Sequence, residues 1–259
     1  MSLPIAFRPT VVCLLAVWSA IAAGCQPAVP LATNWSTLRQ QMVAEQLVPR
    51  GIENDRVLVV MGNVPRHEFV SDSVRHSAYD DHPLPIGEGQ TISQPYIVAL
   101  MTELADPRSS QRVLEVGTGS GYQAAVLAEL VAEVYTIELL PGLAQSAETR
   151  LNRLGYGDTI HVRAGDGYLG WPDAAPFDSI LVTCGADHVP EPLFEQLKAG
   201  GKMIIPVGPR ANQVLRVIEK DSRGKRHSRD VAPVRFVPLR RAEDVLGKSN
   251  EQKETKGTK

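Results

Sequence analysis

Apolar residues along this chain follow two alternating patterns. Short runs rich in branched apolar residues predict buried strands, and between them apolar residues recur at helical spacing. Because strands and helices alternate through the middle, we expect an α/β fold with a doubly wound, mostly parallel, Rossmann-like sheet, preceded by N-terminal helices. The closing strands lack helices between them, which predicts an antiparallel pair at one edge. The predicted strands cover residues 113–116, 133–137, 160–163, 177–183, 201–207, 214–219 and 231–237, and the predicted helices cover residues 38–47, 56–61, 96–104, 122–130, 143–154 and 191–197.

A glycine-rich segment joins the strand at residues 113–116 to the next helix. Gly117, Gly119 and Gly121 alternate there with Thr118 and Ser120. Glycine lets the backbone turn sharply and lets a ligand approach main-chain atoms that a Cβ would block. The segment therefore predicts a nucleotide-binding site. The alternative is a tight turn without a ligand, but three alternating glycines are more than a turn requires.

Two carboxylates indicate which nucleotide binds. The dinucleotide fingerprint is G-x-G-x-x-G, with a pyrophosphate at the helix N-terminus, whereas this chain has G-x-G-x-G. Glu115 lies two residues before the first glycine, where it would repel a pyrophosphate by ~1 to 4 kcal/mol at contact distance. It would instead attract the ammonium of S-adenosylmethionine, which carries no phosphate. Glu138 ends the next predicted strand, where an acidic residue can hold ribose hydroxyls. We therefore predict S-adenosylmethionine in preference to NAD.

Length and charge narrow the class of protein. The chain has 259 residues, which is long enough for one domain with a sizeable hydrophobic core and additional terminal segments. Its formal net charge is -2, so the chain as a whole lacks the basic character that is typical of nucleic-acid-binding proteins. Adjacent acidic residues and histidine at residues 80–82 would point in different directions on an extended loop, so we predict no metal site. We expect a monomer.

The N-terminus has the pattern of an export signal. Arg8 precedes an apolar run at residues 11–23, which is short for a membrane span and ends in small residues before Cys25. We predict a signal peptide at residues 1–24 with Cys25 as a lipidated, membrane-anchoring residue, and hence location in the cell envelope or periplasm. A linker rich in proline and alanine at residues 25–33, a domain at residues 34–241 and a disordered tail at residues 242–259 would follow. If the true start lies downstream, the protein is cytoplasmic instead.

A segment rich in proline and glycine at residues 78–95 precedes the helix predicted at residues 96–104. We expect irregular backbone here, and a structured loop of this length is usually functional. Ser93 lies at its end, two residues before Pro95. The purely structural interpretation is that Ser93 caps the helix, with proline in its first turn.

Several motifs together resemble the protein-L-isoaspartate O-methyltransferase family. The resemblance covers nearly everything from residue 38 to residue 241, and the segment at residues 90–95 is specific to this family. The matching segments are Val64-Pro65-Arg66, Phe69-Val70, Pro83-Leu84-Pro85-Ile86-Gly87, Gly89-Gln90-Thr91-Ile92-Ser93-Gln94-Pro95, residues 113–122, Gly165-Asp166-Gly167, Pro176-Phe177-Asp178 and Arg235-Phe236-Val237-Pro238-Leu239.

The resemblance implies a class I methyltransferase fold and repair methylation of isoaspartyl-containing proteins and peptides. It implies that Ser93 is the active-site serine. It also implies cofactor contacts that agree with the glycine and carboxylate pattern, at Glu115, Gly117, Thr118, Gly119, Gly121, Glu138, Asp166 and Gly167.

One segment departs from the family pattern. The family commonly has small residues and prolines after its fourth strand, in a loop that borders the substrate, where this chain has Thr183-Cys184-Gly185-Ala186-Asp187-His188. This loop leaves open a methyltransferase for a different carboxylate. The predicted export leaves open a second alternative, an exported paralogue that binds without methylating, because S-adenosylmethionine is made in the cytoplasm. A thiol catalyst built from Cys184 and His188 is a weaker hypothesis, because a cysteine at a strand end is more often a small core residue.

Overall fold

The computed structural model describes residues 33–243. Helices and strands alternate through most of this range. The helices are α1 (Trp35–Met42), α2 (Asp55–Asn63), α3 (Pro95–Ala105), α4 (Tyr122–Ala128), α5 (Pro141–Arg153) and α6 (Glu191–Glu195), and the strands are β1 (Leu84–Gly87), β2 (Gln90–Ile92), β3 (Arg112–Val116), β4 (Glu133–Glu138), β5 (Ile160–Ala164), β6 (Phe177–Val182), β7 (Leu197–Val207), β8 (Gln213–Lys220) and β9 (Arg226–Val234).

Seven strands form the main sheet, in the order β5-β4-β3-β6-β7-β8-β9. Strands β3 to β7 pair in parallel, and β8 and β9 add on antiparallel. Side chains alternate along β3, so that Val113 packs in one buried cluster while Leu114 and Val116 pack in the other. The predicted doubly wound, mostly parallel sheet with an antiparallel edge is confirmed.

The N-terminal helices begin and end at residues whose chemistry explains the boundaries. Asn34 and Asn54 cap α1 and α2, because their side-chain oxygens accept hydrogen bonds from backbone N–H groups of the first turns. After α1 the chain continues through a π-helical turn (Val43–Leu47) and a 3-10 turn (Val48–Arg50). Gly51, at φ 86°, ends this run in the left-handed region.

The prediction of irregular backbone over residues 78–95 was wrong in part. This segment contains an antiparallel hairpin in which β1 pairs with β2 and Leu84 faces Ile92. The turn residues Glu88 and Gly89 both have positive φ, 50° and 69°, which is the backbone that a two-residue hairpin turn needs. The prolines in this segment argued against a strand. A two-stranded hairpin tolerates Pro85, because a residue on a strand edge needs no N–H donor.

Two strands begin well before the residues that the sequence predicts. Strand β9 begins earlier than the predicted strand at residues 231–237 and ends before Arg235. Its first five residues are exposed and mostly polar, so no apolar pattern marks them. Strand β7 begins at Leu197, earlier than the predicted strand at residues 201–207. Leu197 therefore belongs to this strand and not to the helix predicted at residues 191–197.

The export and lipidation predictions for residues 1–24 and Cys25 lie outside the described residues, as does most of the predicted tail. Within residues 33–243, every helix is too short or too polar to cross a bilayer.

Candidate active site

The sheet order creates a crevice at the carboxyl ends of β3 and β6. From β3 the chain proceeds outward to β4 and β5, and it then returns to the other side of β3 to form β6. Loops leaving two such neighbouring strands run in opposite directions and leave a cleft between them, which is where ligands bind in open α/β sheets. A cavity that is partly open to solvent lies at this point. Its lining includes Ser93 and the predicted cofactor residues Glu115, Gly117, Thr118, Gly119, Glu138 and Gly167.

Gly117 and Gly119 place bare backbone against the cavity. Gly117 has φ 105°, and a Cβ there would lie 2.5 Å from Thr183 Oγ1 and 2.7 Å from Cys184 Sγ. Gly119 has φ 52°, and its Cβ would lie 3.3 Å from Ile86 Cδ1 on the hairpin. Gly117 therefore needs glycine for backbone conformation and for space, and Gly119 needs it for its positive φ. We call residues 117–121 the glycine loop. This loop packs between the residues after β6 and the hairpin.

Glu115 is fully buried and contributes a carboxyl group to the cavity wall. Its register partner on β4 is Thr136, whose Oγ1 donates to Glu115 Oε2 at 2.6 Å. The hydroxyl of Thr118 lies 2.7 Å from the same Thr136 oxygen, and it must donate because the Thr136 proton is already used. Burial raises the pKa of Glu115 to about 8, aided by the nearby charge of Glu138 and opposed by the Thr136 hydrogen bond.

The second oxygen of this carboxyl group is the unusual feature. Glu115 Oε1 is buried and has no hydrogen-bond partner among the described residues. An orphaned buried acceptor is costly, so a bound group that donates to it is expected. A cationic donor would also offset the burial of the carboxylate. The ammonium of S-adenosylmethionine has both properties, so the residues present fit this cofactor.

Glu138 holds the glycine loop to the end of β4. Its Oε2 accepts from the Gly119 N–H at 2.8 Å, and its Oε1 accepts from the Leu140 N–H at 3.1 Å. Each carboxylate oxygen has a further lone pair, so the group can also accept from ligand hydroxyls. Glu138 is 7% exposed and lines the cavity, which places it for the predicted ribose contact.

Ser93 lies on the opposite wall, directly after β2. Helix α3 is capped by Gln94 and not by Ser93, and Gln94 makes no side-chain capping bond. The interpretation of Ser93 as a helix cap is therefore wrong, because the chain enters the helix one residue later. Arg66 Nη2 donates to the Ser93 carbonyl at 2.7 Å. Within the described part of the chain, the Ser93 hydroxyl has no protein partner and is available to a ligand.

Two predicted cofactor residues do not line the cavity. Gly121 is the left-handed residue before α4, and its missing Cβ makes room for Leu151. Asp166 uses both carboxylate oxygens on backbone N–H groups, those of Tyr168 at 2.8 Å and Ala242 at 3.0 Å. These contacts give both residues a structural role, and their contact with cofactor stays a prediction.

Sequence reasoning gave no individual role to two residues that the fold brings to the cavity. Thr183 Oγ1 donates to the Gly117 carbonyl at 2.8 Å and so joins the glycine loop to the end of β6. Arg240, on the segment after β9, also lines the cavity. Thr183 was named only as part of the loop that the resemblance sets beside the substrate, and its contact with Gly117 follows from the parallel pairing of β3 and β6. Arg240 carries no local sequence signal.

The thiol hypothesis gains no support from the geometry. Cys184 lines the cavity beneath Gly117. Burial raises its pKa to about 12, so the group is a neutral thiol at physiological pH. His188 Nδ1 lies 2.8 Å from Asp187 Oδ1 in an exposed ion pair. The cysteine therefore acts as a small packing residue.

The fold and the cavity define a class I methyltransferase that uses S-adenosylmethionine. A model of the protein-L-isoaspartate(D-aspartate) O-methyltransferase family matches residues 38–244. The chain belongs to this family.

Curated relatives match this chain over most of its length. The chain is 58% identical over 204 residues to a protein-L-isoaspartate O-methyltransferase of Opitutus terrae, covering 78% of this chain and 87% of the relative. It is 59% identical over 185 residues to protein-L-isoaspartate O-methyltransferase 2 of Syntrophobacter fumaroxidans, covering 71% and 74% of the two chains.

Solved structures show the same fold. A protein-L-isoaspartate O-methyltransferase structure aligns with a TM-score of 0.72 at 31% identity, covering 79% of this chain and 66% of that one. A putative enzyme of the same kind from Plasmodium falciparum, in complex with S-adenosyl-L-homocysteine, aligns with a TM-score of 0.69 at 26% identity, covering 78% and 98%.

Proposed function

We propose that this protein transfers the methyl group of S-adenosylmethionine to the free carboxylate of L-isoaspartyl residues in damaged proteins and peptides. The observation that carries the proposal is a shared cavity: Ser93 lines the same space as Gly117, Gly119 and the buried Glu115. The family membership reported above supports the same substrate class.

Glu115 and the glycine loop would hold the cofactor. The unpartnered Glu115 Oε1 would accept from its ammonium, the bare backbone at Gly117 and Gly119 would let it approach closely, and Glu138 would accept from its ribose hydroxyls. When bound, S-adenosylmethionine supplies an electrophilic methyl group whose carbon–sulfur bond breaks as the carboxylate oxygen bonds to the carbon, and the electron pair of that bond stays on sulfur.

The acceptor needs orientation more than activation. A side-chain carboxylate with an ordinary pKa near ~4 is already ionised at neutral pH, so no general base is required. The Ser93 hydroxyl can donate one hydrogen bond to this carboxylate without adding charge, and it leaves the second oxygen free to attack. Orientation of this kind can lower the barrier by up to roughly 7 to 11 kcal/mol.

Arg240 adds positive charge to the same cavity. It is one of the lining residues, and its guanidinium would favour a negatively charged acceptor over a neutral one.

The direct experiment compares two synthetic peptides that differ at one residue, one with an L-isoaspartyl linkage and its twin with normal aspartate. The purified protein should methylate the isoaspartyl peptide and leave the twin almost unmodified. It should also bind S-adenosylhomocysteine in calorimetry and not NAD. Cofactor binding without methylation of either peptide would favour the non-catalytic paralogue. Methylation of both peptides would favour a different carboxylate, with the loop at residues 183–188 as the region to examine.

We also propose that the protein acts as a monomer and is exported and anchored through a lipidated Cys25. Export and anchoring are supported by the sequence pattern of Arg8, the apolar run at residues 11–23 and the small residues before the cysteine. Cell fractionation should place the protein in the envelope, and Cys25→Ala should abolish lipid labelling. Full-length protein that retains Met1 in the cytosol would overturn the proposal.

A further inference from the structure

Arg66 is a charged side chain in an unusual place. It begins the 3-10 turn Arg66–Phe69 and is 0% exposed. Burial lowers its pKa to about 10, so the guanidinium still carries its charge at neutral pH. In the described part of the chain no carboxylate forms a salt bridge with it. A buried cation with no carboxylate in direct contact is costly even though the charge of Asp81 lies nearby, which calls for a reason for its presence.

The contacts of Arg66 join three segments that are distant in sequence. Its Nε donates to the Ala78 carbonyl and its Nη2 to the Ser93 carbonyl, both at 2.7 Å. Its Cζ lies 4.9 Å from the centre of the Tyr122 ring. Tyr122 is the first residue of α4, directly after the glycine loop, and it lines the cavity. Arg66 therefore lies behind Ser93 and touches the cofactor side of the cavity through one aromatic ring.

Arginine suits this role because its planar fork can donate to two carbonyls while its face packs on a ring. A lysine has one nitrogen and cannot fix both carbonyls and the ring in a single geometry. The third nitrogen, Nη1, is buried without a hydrogen bond, so the arrangement is not optimised for stability alone. A cation at this point also favours the binding of a carboxylate in front of Ser93.

We propose that Arg66 is a positioning residue for methyl transfer, which fixes the Ser93 hydroxyl relative to the glycine loop. The inference rests on the proposed function for its kinetic consequence. Its structural part, the fixed geometry of the segment at residues 90–94, can be measured without turnover.

The test compares Arg66→Lys with a matched control, Arg163→Lys. Arg163 also donates to a backbone carbonyl, that of Gly170 at 2.6 Å, and its Cζ lies 4.2 Å from the Trp171 ring centre, but it does not line the cavity. For Arg66→Lys we expect kcat on the isoaspartyl peptide to fall by about 10-fold or more, with the affinity for S-adenosylhomocysteine near that of the wild type. Arg163→Lys should leave kcat within about 2-fold.

A double variant separates positioning from general loss of stability. If Arg66 acts through Ser93, Arg66→Lys combined with Ser93→Ala should be no slower than Ser93→Ala alone. Multiplied rate losses would overturn the proposal, as would an Arg66→Lys variant that turns over like the wild type.

Hydrogen exchange of the cofactor-analogue complex gives a readout that does not require activity. Backbone amides at residues 90–94 should exchange faster in Arg66→Lys and not in Arg163→Lys. If the wild type methylates neither peptide but this difference appears, the proposed function fails while the positioning role stands. Unchanged exchange at residues 90–94 would overturn the positioning role.

Discussion

The two walls of the cavity are built in different ways. On the cofactor wall, Glu138 binds two backbone N–H groups and Glu115 pairs with its neighbour in the sheet register, all within one strand-loop-helix-strand unit. On the acceptor wall, Ser93 comes from the end of a short hairpin and depends on Arg66 from a separate turn. The cofactor wall is thus a local structure, and the acceptor wall is an assembly of distant segments. Changes on the first should affect folding and cofactor binding together, whereas changes on the second should affect methylation of the peptide and leave cofactor binding near the wild-type value.

The largest effect is expected from Gly117→Ala on the cofactor wall. The new Cβ would lie 2.5 Å from Thr183 Oγ1, at a φ of 105°. Backbone strain of roughly 1 to 2 kcal/mol and overpacking of typically about 1 to 3 kcal/mol should together destabilise the protein by roughly 2 to 5 kcal/mol and weaken binding of S-adenosylhomocysteine. Thermal melts and calorimetry measure both effects.

Gly224→Ala is the matched control for that change. Gly224 has φ 79° in the turn before β9, and a Cβ there would have nothing within 4 Å. It should cost only the strain, roughly 1 to 2 kcal/mol, and leave cofactor binding intact. Equal losses of stability in the two variants would mean that the glycine loop is not tightly packed.

A smaller effect, with a characteristic pH dependence, is expected for Glu115→Gln. The pKa of Glu115 is about 8 in the folded protein against an ordinary 4.5, so the folded protein keeps a proton that the unfolded chain loses. Its contribution to stability is complete below about pH 4.5 and is lost as the pH rises through about 8. Melts of the cofactor-free wild type should therefore show this loss, and Glu115→Gln should not.

The same change tests the cofactor contact. Binding of a cationic ammonium requires the ionised carboxylate, so the wild-type affinity for S-adenosylhomocysteine should increase as the pH rises towards 8. Glu115→Gln should weaken this affinity by ~10-fold or more, the value of a hydrogen bond to a charged group, and remove the pH dependence. Glu219→Gln on an exposed position of β8 serves as the control. A Glu115→Gln variant that retains wild-type affinity would contradict the assignment.

The smallest effect is expected from His188→Ala, in the loop at residues 183–188. Its ion pair with Asp187 is exposed on both sides, at 61% and 76%. Such a pair contributes little, so stability should be unchanged and KM for the peptide should shift by about 2- to 5-fold at most. Steady-state kinetics on the isoaspartyl peptide measure this. A loss of kcat beyond about 10-fold would show that this loop takes part in the chemistry.

The contrast between the walls also explains what the sequence could predict. That Glu115, Gly117 and Glu138 lie together at one cavity was predictable, because strand, loop and helix follow one another locally and the glycines have few other reasons to alternate. Their contact with cofactor stays a prediction. The places of Thr136 and Thr183 were not predictable, since only the sheet register brings them to the loop. The hairpin before Ser93 was missed because its prolines suggested irregular backbone. Gly121 and Asp166 were predicted as cofactor residues, and in the structure they pack and cap neighbouring backbone instead of lining the cavity.

The most direct test of the account is Ser93→Ala, with stability, affinity for S-adenosylhomocysteine and kcat measured on the same variant. The Ser93 hydroxyl has no partner among residues 33–243 and does not cap α3, so the free energy of unfolding should change by less than about 0.5 kcal/mol. Affinity for S-adenosylhomocysteine should stay at the wild-type value, while kcat on the isoaspartyl peptide should fall by ~10-fold or more. A variant that melts, binds and methylates like the wild type would contradict the assignment of Ser93 as the group that orients the acceptor carboxylate.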